Sequence, residues 1–361
     1  MSQWPDWLPL SERLRPLSPY GAPQLPADAV LNTNESPFAL SSALTSAISS
    51  RIEHVATNLN RYPDRDATNL RTGLARFING LSGTNFSSEN IWAANGSNEI
   101  IQSLYLAFGE KGALGFTPSY SMHPLIARVT NTSWIDGRRR SDFSLDIEIA
   151  KSEIAGSAPA LTFITTPNNP TGSSVTIDEI EELAKVVPGL LVVDEAYAEF
   201  SDEISAVTLI AKYPHIVVIR TMSKAFSFAG VRLGYLVADP SVIDALFIVR
   251  LPYHLSSLTQ AAAEVALEFE RELLGNVAQL ISQREWVRSQ LEALDLTVTP
   301  SKANFLLFSG FDISAPLLWK SLLDAGVLIR DVGLSGYLRV TIGTEAENQL
   351  FIDAIAPLIK E

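Results

Sequence analysis

The chain has 361 residues, enough for two domains at about 100–200 residues each. Hydrophobic residues make up 47% and charged residues 19% of it, the composition of a packed globular protein, which excludes a disordered or fibrous chain. It contains no cysteine, which excludes disulfides, thiolate metal sites and a cysteine nucleophile, and its net charge of −13 disfavours a nucleic-acid partner.

The N-terminal part of the chain is rich in proline and lacks a regular hydrophobic period over residues 1–40. Its apolar side chains favour an arm that packs against the rest of the protein. Residues 1–9 have neither the basic nor the apolar region of a signal peptide. No stretch reaches the roughly 18 apolar residues of a membrane helix. We therefore expect a cytoplasmic protein.

Short apolar runs that alternate with helical patterns predict an α/β fold with a mainly parallel sheet. The clearest strands are nearly all apolar, as expected where both faces are covered: residues 161–165, 190–193, 216–219 and 233–237. A capping box at Thr176 and Glu179 predicts a helix over residues 176–187. Further helices are expected over residues 257–274 and 277–294, and further strands over residues 305–308 and 337–342.

Polar residues follow several of these strands at the point where each strand ends. Ligands of open α/β sheets bind beyond the carboxyl ends of the strands, so these segments could form one site. They are Asn95-Gly96-Ser97-Asn98-Glu99 before a helix expected from Ile100, Pro167-Asn168-Asn169-Pro170-Thr171-Gly172, Asp194-Glu195-Ala196-Tyr197, and Arg220-Thr221-Met222-Ser223-Lys224-Ala225-Phe226.

Each segment also has a plainer structural interpretation when it is taken alone. The Gly96-Ser97 turn could be an ordinary helix cap instead of an anion site, and residues 167–172 could be a simple turn. Asp194 could cap a helix or be a buried carboxylate that faces a cationic nitrogen. Lys224 could be a solvated lysine or a desolvated amine able to form a Schiff base.

Together these segments resemble the fold-type I pyridoxal-phosphate-dependent aminotransferases. The run Ser223-Lys224-Ala225-Phe226, with Gly230-Val231-Arg232-Leu233-Gly234 after it, is similar to the cofactor-lysine signature of their class I/II branch. The resemblance covers nearly the whole chain. It implies a large cofactor-binding domain over residues 41–250, with a mainly parallel seven-stranded sheet between helices. It also implies a smaller α/β domain over residues 251–361 and an N-terminal arm over residues 1–40 that forms part of the smaller domain.

The same resemblance implies pyridoxal 5′-phosphate as cofactor and a role for each matching residue. Lys224 would carry the cofactor and move the substrate proton, and Asp194 would pair with the ring nitrogen. Tyr197 and Asn169 would bind the ring's phenolic oxygen. Tyr120 would stack on the ring, unless it is a core tyrosine. The cofactor phosphate would be held by Ser97, Asn98, Thr221, Ser223 and Arg232, the last a cation that would be costly to bury unpaired.

A narrower resemblance is to members of this family that act on histidinol phosphate. It rests on Ser18-Pro19-Tyr20, on residues 31–37 and 60–64, and on residues 334–344, segments that aromatic aminotransferases of the same subgroup also carry. It implies transfer of an amino group between L-histidinol phosphate and 2-oxoglutarate in histidine biosynthesis, with an aromatic amino-acid aminotransferase as the alternative.

The narrower resemblance also implies the residues that bind substrate. Arg339 would bind the α-carboxylate of glutamate or the phosphate of histidinol phosphate. Arg330 and Tyr20 are further candidates for phosphate recognition, and Asn34 is expected near the substrate. Arg330 could instead pair with Asp331 or be solvated.

Tyr62 matches the family tyrosine that reaches the cofactor phosphate of the neighbouring subunit, which implies a homodimer. No pair among the four histidines has metal-ligand spacing, so no metal site is expected. A lyase or decarboxylase with the same cofactor is a further alternative, although a carboxylate held by Arg339 argues against decarboxylation. A non-catalytic sensor is another, but such proteins usually add a basic DNA-binding domain, for which this chain has no room and the wrong charge.

Overall fold

The computed structural model describes residues 4–5 and 7–359. The remaining residues of the predicted arm and of the C-terminal domain, Met1, Ser2, Gln3, Asp6, Lys360 and Glu361, lie outside the described residues. Within the described ranges, no helix combines the length and the apolar character needed to cross a membrane.

The described residues form strands and helices that alternate along most of the chain. In chain order the strands are β1 (Ala29–Val30), β2 (Ile91–Ala94), β3 (Ala113–Thr117), β4 (Trp134–Arg138), β5 (Leu161–Thr165), β6 (Leu190–Asp194), β7 (Ile216–Thr221), β8 (Gly234–Val237), β9 (Thr297–Val298), β10 (Phe305–Ser309), β11 (Val327–Leu328) and β12 (Leu338–Thr341). The helices are α1 (Ser42–Ala56), α2 (Thr68–Ser82), α3 (Ser97–Phe108), α4 (Met122–Val129), α5 (Ile147–Ser157), α6 (Ile177–Ala184), α7 (Pro240–Val249), α8 (Ser257–Glu268), α9 (Glu270–Glu292), α10 (Ala315–Asp324) and α11 (Glu345–Ile359).

A seven-stranded sheet in the order β2-β8-β7-β6-β5-β3-β4 forms the centre of the fold. Strand β8 is antiparallel to both of its neighbours, and the other pairs are parallel. Side chains alternate between two apolar clusters: Leu191 and Val193 face one, and Val192 faces the other. Because both faces are covered, the strands are apolar throughout. The prediction of an α/β fold with a mainly parallel sheet is confirmed.

Several predicted elements agree closely with the structure. Strand β5 spans the predicted residues, and β6 and β7 extend the predicted runs by one and two residues. The capping box of α6 is present: the Thr176 hydroxyl accepts from the Glu179 backbone, and the Glu179 carboxylate accepts from the Thr176 backbone. Each of these two strands therefore ends with a polar residue, Asp194 in β6 and Thr221 in β7, at the carboxyl ends of the central strands.

Several predicted helix boundaries are wrong. The helix predicted over residues 176–187 ends at Ala184. The break between the long helices falls at Phe269, and Gly275 lies inside α9. Leu273, Val277 and Leu280 are all buried, so the apolar face continues across this glycine. The helix expected from Ile100 begins at Ser97, because Gly96 adopts φ 81° and takes the N-cap position. The first free backbone N–H groups of α3 therefore lie next to the predicted phosphate residues.

The N-terminal and C-terminal parts of the chain meet in a second, smaller set of strands. Strand β1 pairs in parallel with β11, and β10 lies between β12 and β9 in an antiparallel sheet. The backbones of Arg330 and Arg339 form an additional antiparallel bridge. This bridge places two predicted substrate-binding cations side by side in the chain's later part.

Candidate active site

A cavity of about 640 Å³ opens at the carboxyl ends of β5, β6 and β7, with β12 on its other side. Of the residues predicted for the site, it is lined by all except Tyr62: Tyr20, Asn34, Ser97, Asn98, Tyr120, Asn169, Asp194, Tyr197, Thr221, Ser223, Lys224, Arg232, Arg330 and Arg339. Segments that are far apart in sequence thus meet at one edge of the sheet, as expected for an open α/β fold.

Lys224 follows β7 and directs its amine into this cavity. Nζ donates to the backbone carbonyl of Thr33 at 3.1 Å, and no described carboxylate forms an ion pair with it. Burial, followed by the positive charge of Arg339, lowers the pKa of the Lys224 amine to about 8. A substantial fraction of the amine is therefore neutral near physiological pH, which is the form that attacks a carbonyl carbon.

Asp194 ends β6 as a buried carboxylate with two fixed partners. Oδ2 lies 3.1 Å from Nε2 of His123, and Oδ1 accepts from the backbone N–H of Ala196 at 3.2 Å. Because an ionised carboxylate can only accept, Nε2 of His123 must carry the hydrogen in this pair. Asp194 is held in one orientation at the inner wall of the cavity, where it can pair with a protonated ring nitrogen.

Tyr197 and Asn169 each keep a donor free in the cavity. The Tyr197 hydroxyl accepts from the Asn34 amide at 2.9 Å, so its own hydrogen can point to a ligand. The Asn169 carbonyl oxygen accepts from Arg339 at 2.5 Å, which leaves its NH₂ group for a ligand. Burial raises the pKa of the Tyr197 phenol, so this side chain stays a donor. The pair can bind one acceptor oxygen.

Asn34 lies behind Tyr197 as well as at the cavity wall. It adopts φ 56°, and its side-chain oxygen accepts from the Thr341 hydroxyl at 3.0 Å while its NH₂ donates to Tyr197. The side chain is buried and bonded at both ends. Its clearest contribution is to position Tyr197.

Tyr120 lies over the wall of the cavity beside the start of α3. Its hydroxyl donates to the Asn98 side chain at 3.1 Å, and its half-buried ring meets His123 edge-on at 5.4 Å. One ring face is thereby left toward the cavity, the arrangement needed for stacking on a flat ligand.

Backbone and hydroxyl groups converge at the first turn of α3. The Thr221 and Ser223 hydroxyls are 3.0 Å apart, and both line the cavity with Ser97. A Cβ on Gly234 would lie 2.5 Å from the backbone nitrogen of Ser97, so only glycine lets β8 pass this close to the turn. Free N–H groups at a helix start, together with hydroxyls, form a cradle for a phosphate.

Arg232 closes this cradle, but it is not the buried cation that the sequence predicts. The side chain is exposed, with Nη1 donating to the carbonyl of Ala229 at 3.2 Å. The left-handed backbone of Arg232, at φ 60°, turns the guanidinium back over Gly96. Because solvent stabilises the exposed charge, the argument that a buried Arg232 needs a phosphate partner is wrong. Its assignment to the phosphate cradle rests on the position of the guanidinium over Gly96.

Arg339 is a buried cation without a carboxylate partner among the described residues. It is 6% exposed, Nη1 and Nη2 donate to Asn169 and to the carbonyl of Asn32, and Nε has no hydrogen-bond partner. Burial lowers the pKa of its guanidinium to about 10. A buried charge that lacks a counterion and keeps a free donor indicates a site for an anionic ligand group.

Arg330 and Tyr20 lie at the cavity's outer side. The backbone of Arg330 pairs with that of Arg339, and its side chain forms no ion pair with a described residue, Asp331 included. Tyr20 is 53% exposed. Tyr62 lies outside the cavity: it is 79% exposed, and its ring stacks on that of Tyr253 at 4.4 Å. Its predicted role in a neighbouring subunit stays a prediction.

Two functional candidates were missed by sequence reasoning. His123 contacts Asp194 across 71 positions in the sequence, and only its spacing of three residues from Tyr120 could have suggested it. Glu35 lines the cavity directly after Asn34 and is exposed. Glu35 belongs to residues 31–37, one of the segments that carry the narrower resemblance, but the sequence alone predicts no role for it.

The donor set fits pyridoxal 5′-phosphate, the cofactor implied by the resemblance. An amine and a buried carboxylate line the same cavity, two further side chains each keep a free donor there, and a cradle of N–H and hydroxyl groups lies at the end of β7. These groups match an aldehyde, a pyridine nitrogen, a phenolic oxygen and a phosphate, respectively. The free Nε of Arg339 remains for a substrate anion.

Comparison with known proteins gives a family match and close relatives. The family model described as "Aminotransferase class I and II" matches residues 28–355. A histidinol-phosphate aminotransferase of Mycobacterium marinum is 54% identical over 354 residues, 97% of this chain and 92% of the relative. One from Corynebacterium glutamicum is 52% identical over 356 residues, 98% of this chain and 97% of the relative.

Solved structures share the fold at lower sequence identity. The crystal structure of histidinol-phosphate aminotransferase from Sinorhizobium meliloti in complex with pyridoxal-5′-phosphate has a TM-score of 0.86 at 23% identity and covers 98% of both chains. An aspartate aminotransferase of Thermus thermophilus has a TM-score of 0.83 at 21% identity, covering 97% of this chain and 99% of the other. At these identities the likeness concerns the fold.

Proposed function

The chain belongs to the class I and II aminotransferase family, and from this premise we propose that it exchanges an amino group between L-histidinol phosphate and 2-oxoglutarate. In the biosynthetic direction, imidazole acetol phosphate and L-glutamate would give L-histidinol phosphate and 2-oxoglutarate. The main support for this choice of substrate is the 52–54% identity to histidinol-phosphate aminotransferases over nearly the whole chain. The free Nε of buried Arg339 supports it.

The enzyme depends on pyridoxal 5′-phosphate, as its family does. When bound, this cofactor supplies a conjugated ring that accepts the electron pair released from the substrate's Cα–H bond. Lys224 would hold it covalently, and Asp194 would hold the proton on the ring nitrogen. Tyr197 and Asn169 would donate to the phenolic oxygen. Its phosphate would be bound by Ser97, Asn98, Thr221, Ser223 and Arg232.

The lowered pKa of Lys224 suits it to move a proton. With a pKa of about 8, Nζ can accept the proton from the substrate α-carbon near neutral pH. The Thr33 carbonyl, 3.1 Å away, orients the amine. Tyr120 and the cavity walls would exclude water from the carbon while the proton is in transit.

Arg339 supports a shared anion site for the two substrates. Its free Nε can donate to an oxyanion, while Nη1 and Nη2 are bonded to Asn169 and to the carbonyl of Asn32. Glutamate would place its α-carboxylate there, and histidinol phosphate its phosphate. Because the two substrates bind in alternate halves of the reaction, one cation can serve both. Arg330 and Tyr20 would supply further contacts to the phosphate.

A homodimer is part of the proposal. Tyr62 and Tyr253 form a stacked pair that is largely exposed, and Ile248 and Leu251 are 83% and 73% exposed. Large apolar side chains on a surface are typical of a protein interface. Tyr62 would then reach the cofactor phosphate of the neighbouring subunit. A cytoplasmic location stays a prediction of the sequence.

Steady-state kinetics tests the proposed function. Histidinol phosphate is varied at several fixed concentrations of 2-oxoglutarate, and we expect parallel double-reciprocal lines, since one substrate leaves before the next binds. With phenylalanine as the amino donor, kcat/KM should be far lower. A higher kcat/KM for phenylalanine would make the enzyme an aromatic amino-acid aminotransferase.

A further inference from the structure

Seven charged side chains line the cavity: Lys224, Arg232, Arg330, Arg339, Glu35, Asp194 and Asp331. Two of the three carboxylates form hydrogen bonds away from the Lys224 amine. Asp194 is bonded to His123 and Ala196 at the inner wall. Oδ1 of Asp331 accepts from the backbone N–H of Gly333 at 2.8 Å. Glu35 also accepts through one oxygen, from the Thr33 hydroxyl, and Thr33 in turn contacts the reactive amine.

Glu35 is fixed beside the reactive amine by a short chain of contacts. Its Oε2 accepts from the Thr33 hydroxyl at 2.8 Å, and the Thr33 carbonyl accepts from Nζ of Lys224 at 3.1 Å. The negative charge of Glu35 acts on the Lys224 amine, since it opposes the lowering of that pKa. Oε1 has no hydrogen-bond partner among the described residues. One oxygen is therefore anchored while the other is free to accept.

The two amino donors, histidinol phosphate and glutamate, differ in a group that a carboxylate can distinguish. Histidinol phosphate carries an imidazole, which presents an N–H donor and gains a positive charge near pH 6.5. Glutamate carries a second carboxylate, which a fixed carboxylate repels. The four cations of the cavity suit the anionic groups of both substrates, whereas a carboxylate favours the imidazole over both a phenyl ring and an acid.

We propose that Glu35 is a specificity-determining residue whose free oxygen accepts a hydrogen bond from the imidazole of the phosphorylated amino donor. This role rests on the proposed function. It makes the pocket select an imidazole over a phenyl ring of similar size, and it disfavours a second acidic group at the same place.

Equilibrium binding to the holoenzyme in its pyridoxamine form tests this role, because an amino donor binds there without reacting. Calorimetry compares histidinol phosphate with phenylalaninol phosphate, in which phenyl replaces imidazole. We expect wild type to bind histidinol phosphate about tenfold more tightly, the effect of one charge-assisted hydrogen bond. In Glu35→Gln this ratio should fall at least about fivefold, because the charge is lost while size and shape are kept.

Measuring the ratio of the two ligand affinities at two pH values separates the effect of the Glu35 charge from the effect of ligand shape. Wild type should prefer the imidazole ligand more strongly at pH 6 than at pH 8.5, and Glu35→Gln should not. Titration of the ligand phosphate and of the other charged cavity residues affects both ligands, so it largely cancels in the ratio. Asp331→Asn, a matched loss of a cavity carboxylate held through one oxygen, should change the ratio less than about twofold, since Asp331 lies outside the contacts that join Glu35 to Lys224.

A single-turnover reaction with glutamate as amino donor should show the opposite effect of Glu35→Gln on binding. The half-saturating glutamate concentration of Glu35→Gln should be unchanged or lower, since one repulsive charge is removed. Equal weakening of both phosphate ligands in Glu35→Gln, or an unchanged ratio, would overturn the role of Glu35 alone. If wild type binds neither phosphate ligand, the proposed function fails and this role with it.

Discussion

Lys224 and Arg339 face one cavity as cations that form no ion pair with a described residue. Burial lowers the pKa of both groups, to about 8 for the amine and about 10 for the guanidinium. The charge of Arg339 contributes to the lowered pKa of Lys224, and the charge of Arg330 to the lowered pKa of Arg339, because like charges at short range raise the cost of ionisation. Two cations without counterions, Arg339 buried and Lys224 half-buried, are poorly suited to stability and well suited to binding an anionic substrate.

The titration of Lys224 gives a prediction for the cofactor-free protein. Above a pH of about 8 the amine is neutral and can attack an aldehyde, and below it the amine is protonated and cannot. The rate of covalent incorporation of pyridoxal phosphate should therefore rise with a midpoint near pH 8, well below the ordinary lysine value of 10.5. Borohydride trapping followed by peptide mass spectrometry measures rate and position together.

Two variants control this experiment. Lys224→Ala should show no trapped cofactor, and Arg339→Gln should shift the midpoint upward, since a neighbouring positive charge is removed. Incorporation at another lysine, or a midpoint near 10.5 in wild type, would contradict the assignment of Lys224.

His123 is expected to position Asp194. His123→Phe keeps the ring packed against Phe163, 4.7 Å away, but removes the buried bond to Asp194. Loss of a buried charge-assisted hydrogen bond costs about 1–3 kcal/mol, so cofactor affinity should fall by roughly tenfold or more. The pH at which the bound cofactor's absorbance changes should shift as well. An unchanged titration with normal affinity would show that Asp194 keeps its place without His123.

At the level of single residues, sequence reasoning found the groups that stand in family motifs and missed their supports. Asp194 ends an apolar strand and Lys224 lies three residues after the end of another, which is a visible pattern. The Thr33 carbonyl lies 191 positions from Lys224, and His123 lies 71 positions from Asp194. Such partners are brought together only by the folded sheet, so no local spacing predicts them.

The meeting of β8 with the start of α3 decides the shape of the phosphate cradle. Gly234 pairs with Ala94 on one side and Thr221 on the other, and its missing side chain admits the backbone of Gly96 and Ser97. Gly234→Ala would place a Cβ 2.5 Å from a backbone nitrogen, so the turn must move.

We expect Gly234→Ala to weaken cofactor binding and to destabilise the protein by about 1–3 kcal/mol, the usual cost of overpacking. Thermal unfolding with and without cofactor measures both effects. Gly230→Ala is the matched control, since a Cβ there meets no atom within 4 Å, and its behaviour should be near wild type. Equal effects in the two variants would refute the cradle argument.

Elements with an unambiguous pattern were predicted well, and boundaries set by tertiary packing were not. Strand β5 and the capping box of α6 depend on local sequence, and both agree with the structure. The predicted helices leave their break at residues 275–276, where Gly275 and Asn276 are typical of a helix end, whereas the structure has it at Phe269. Burial of Leu273 and Val277 against the core outweighs that local preference.

At the scale of the whole molecule, the exposed Tyr62 makes the proposed dimer testable. Lys224→Ala and Tyr62→Phe are prepared separately, unfolded together and refolded as mixed dimers. If Tyr62 acts in the neighbouring subunit, each mixed dimer contains one site with both wild-type residues, so mixing should restore about a quarter of wild-type activity. No gain over the sum of the separate variants would place Tyr62 in its own subunit's site or outside catalysis.

The central claim is that this enzyme exchanges an amino group between a phosphorylated imidazole substrate and 2-oxoglutarate, and single-turnover absorbance tests it most directly. The cofactor-loaded enzyme is mixed separately with histidinol phosphate, glutamate and phenylalanine. Histidinol phosphate and glutamate should convert the bound cofactor to its amino form in a fast phase, with phenylalanine far slower. Fastest conversion by phenylalanine, or no conversion by histidinol phosphate, would contradict the account.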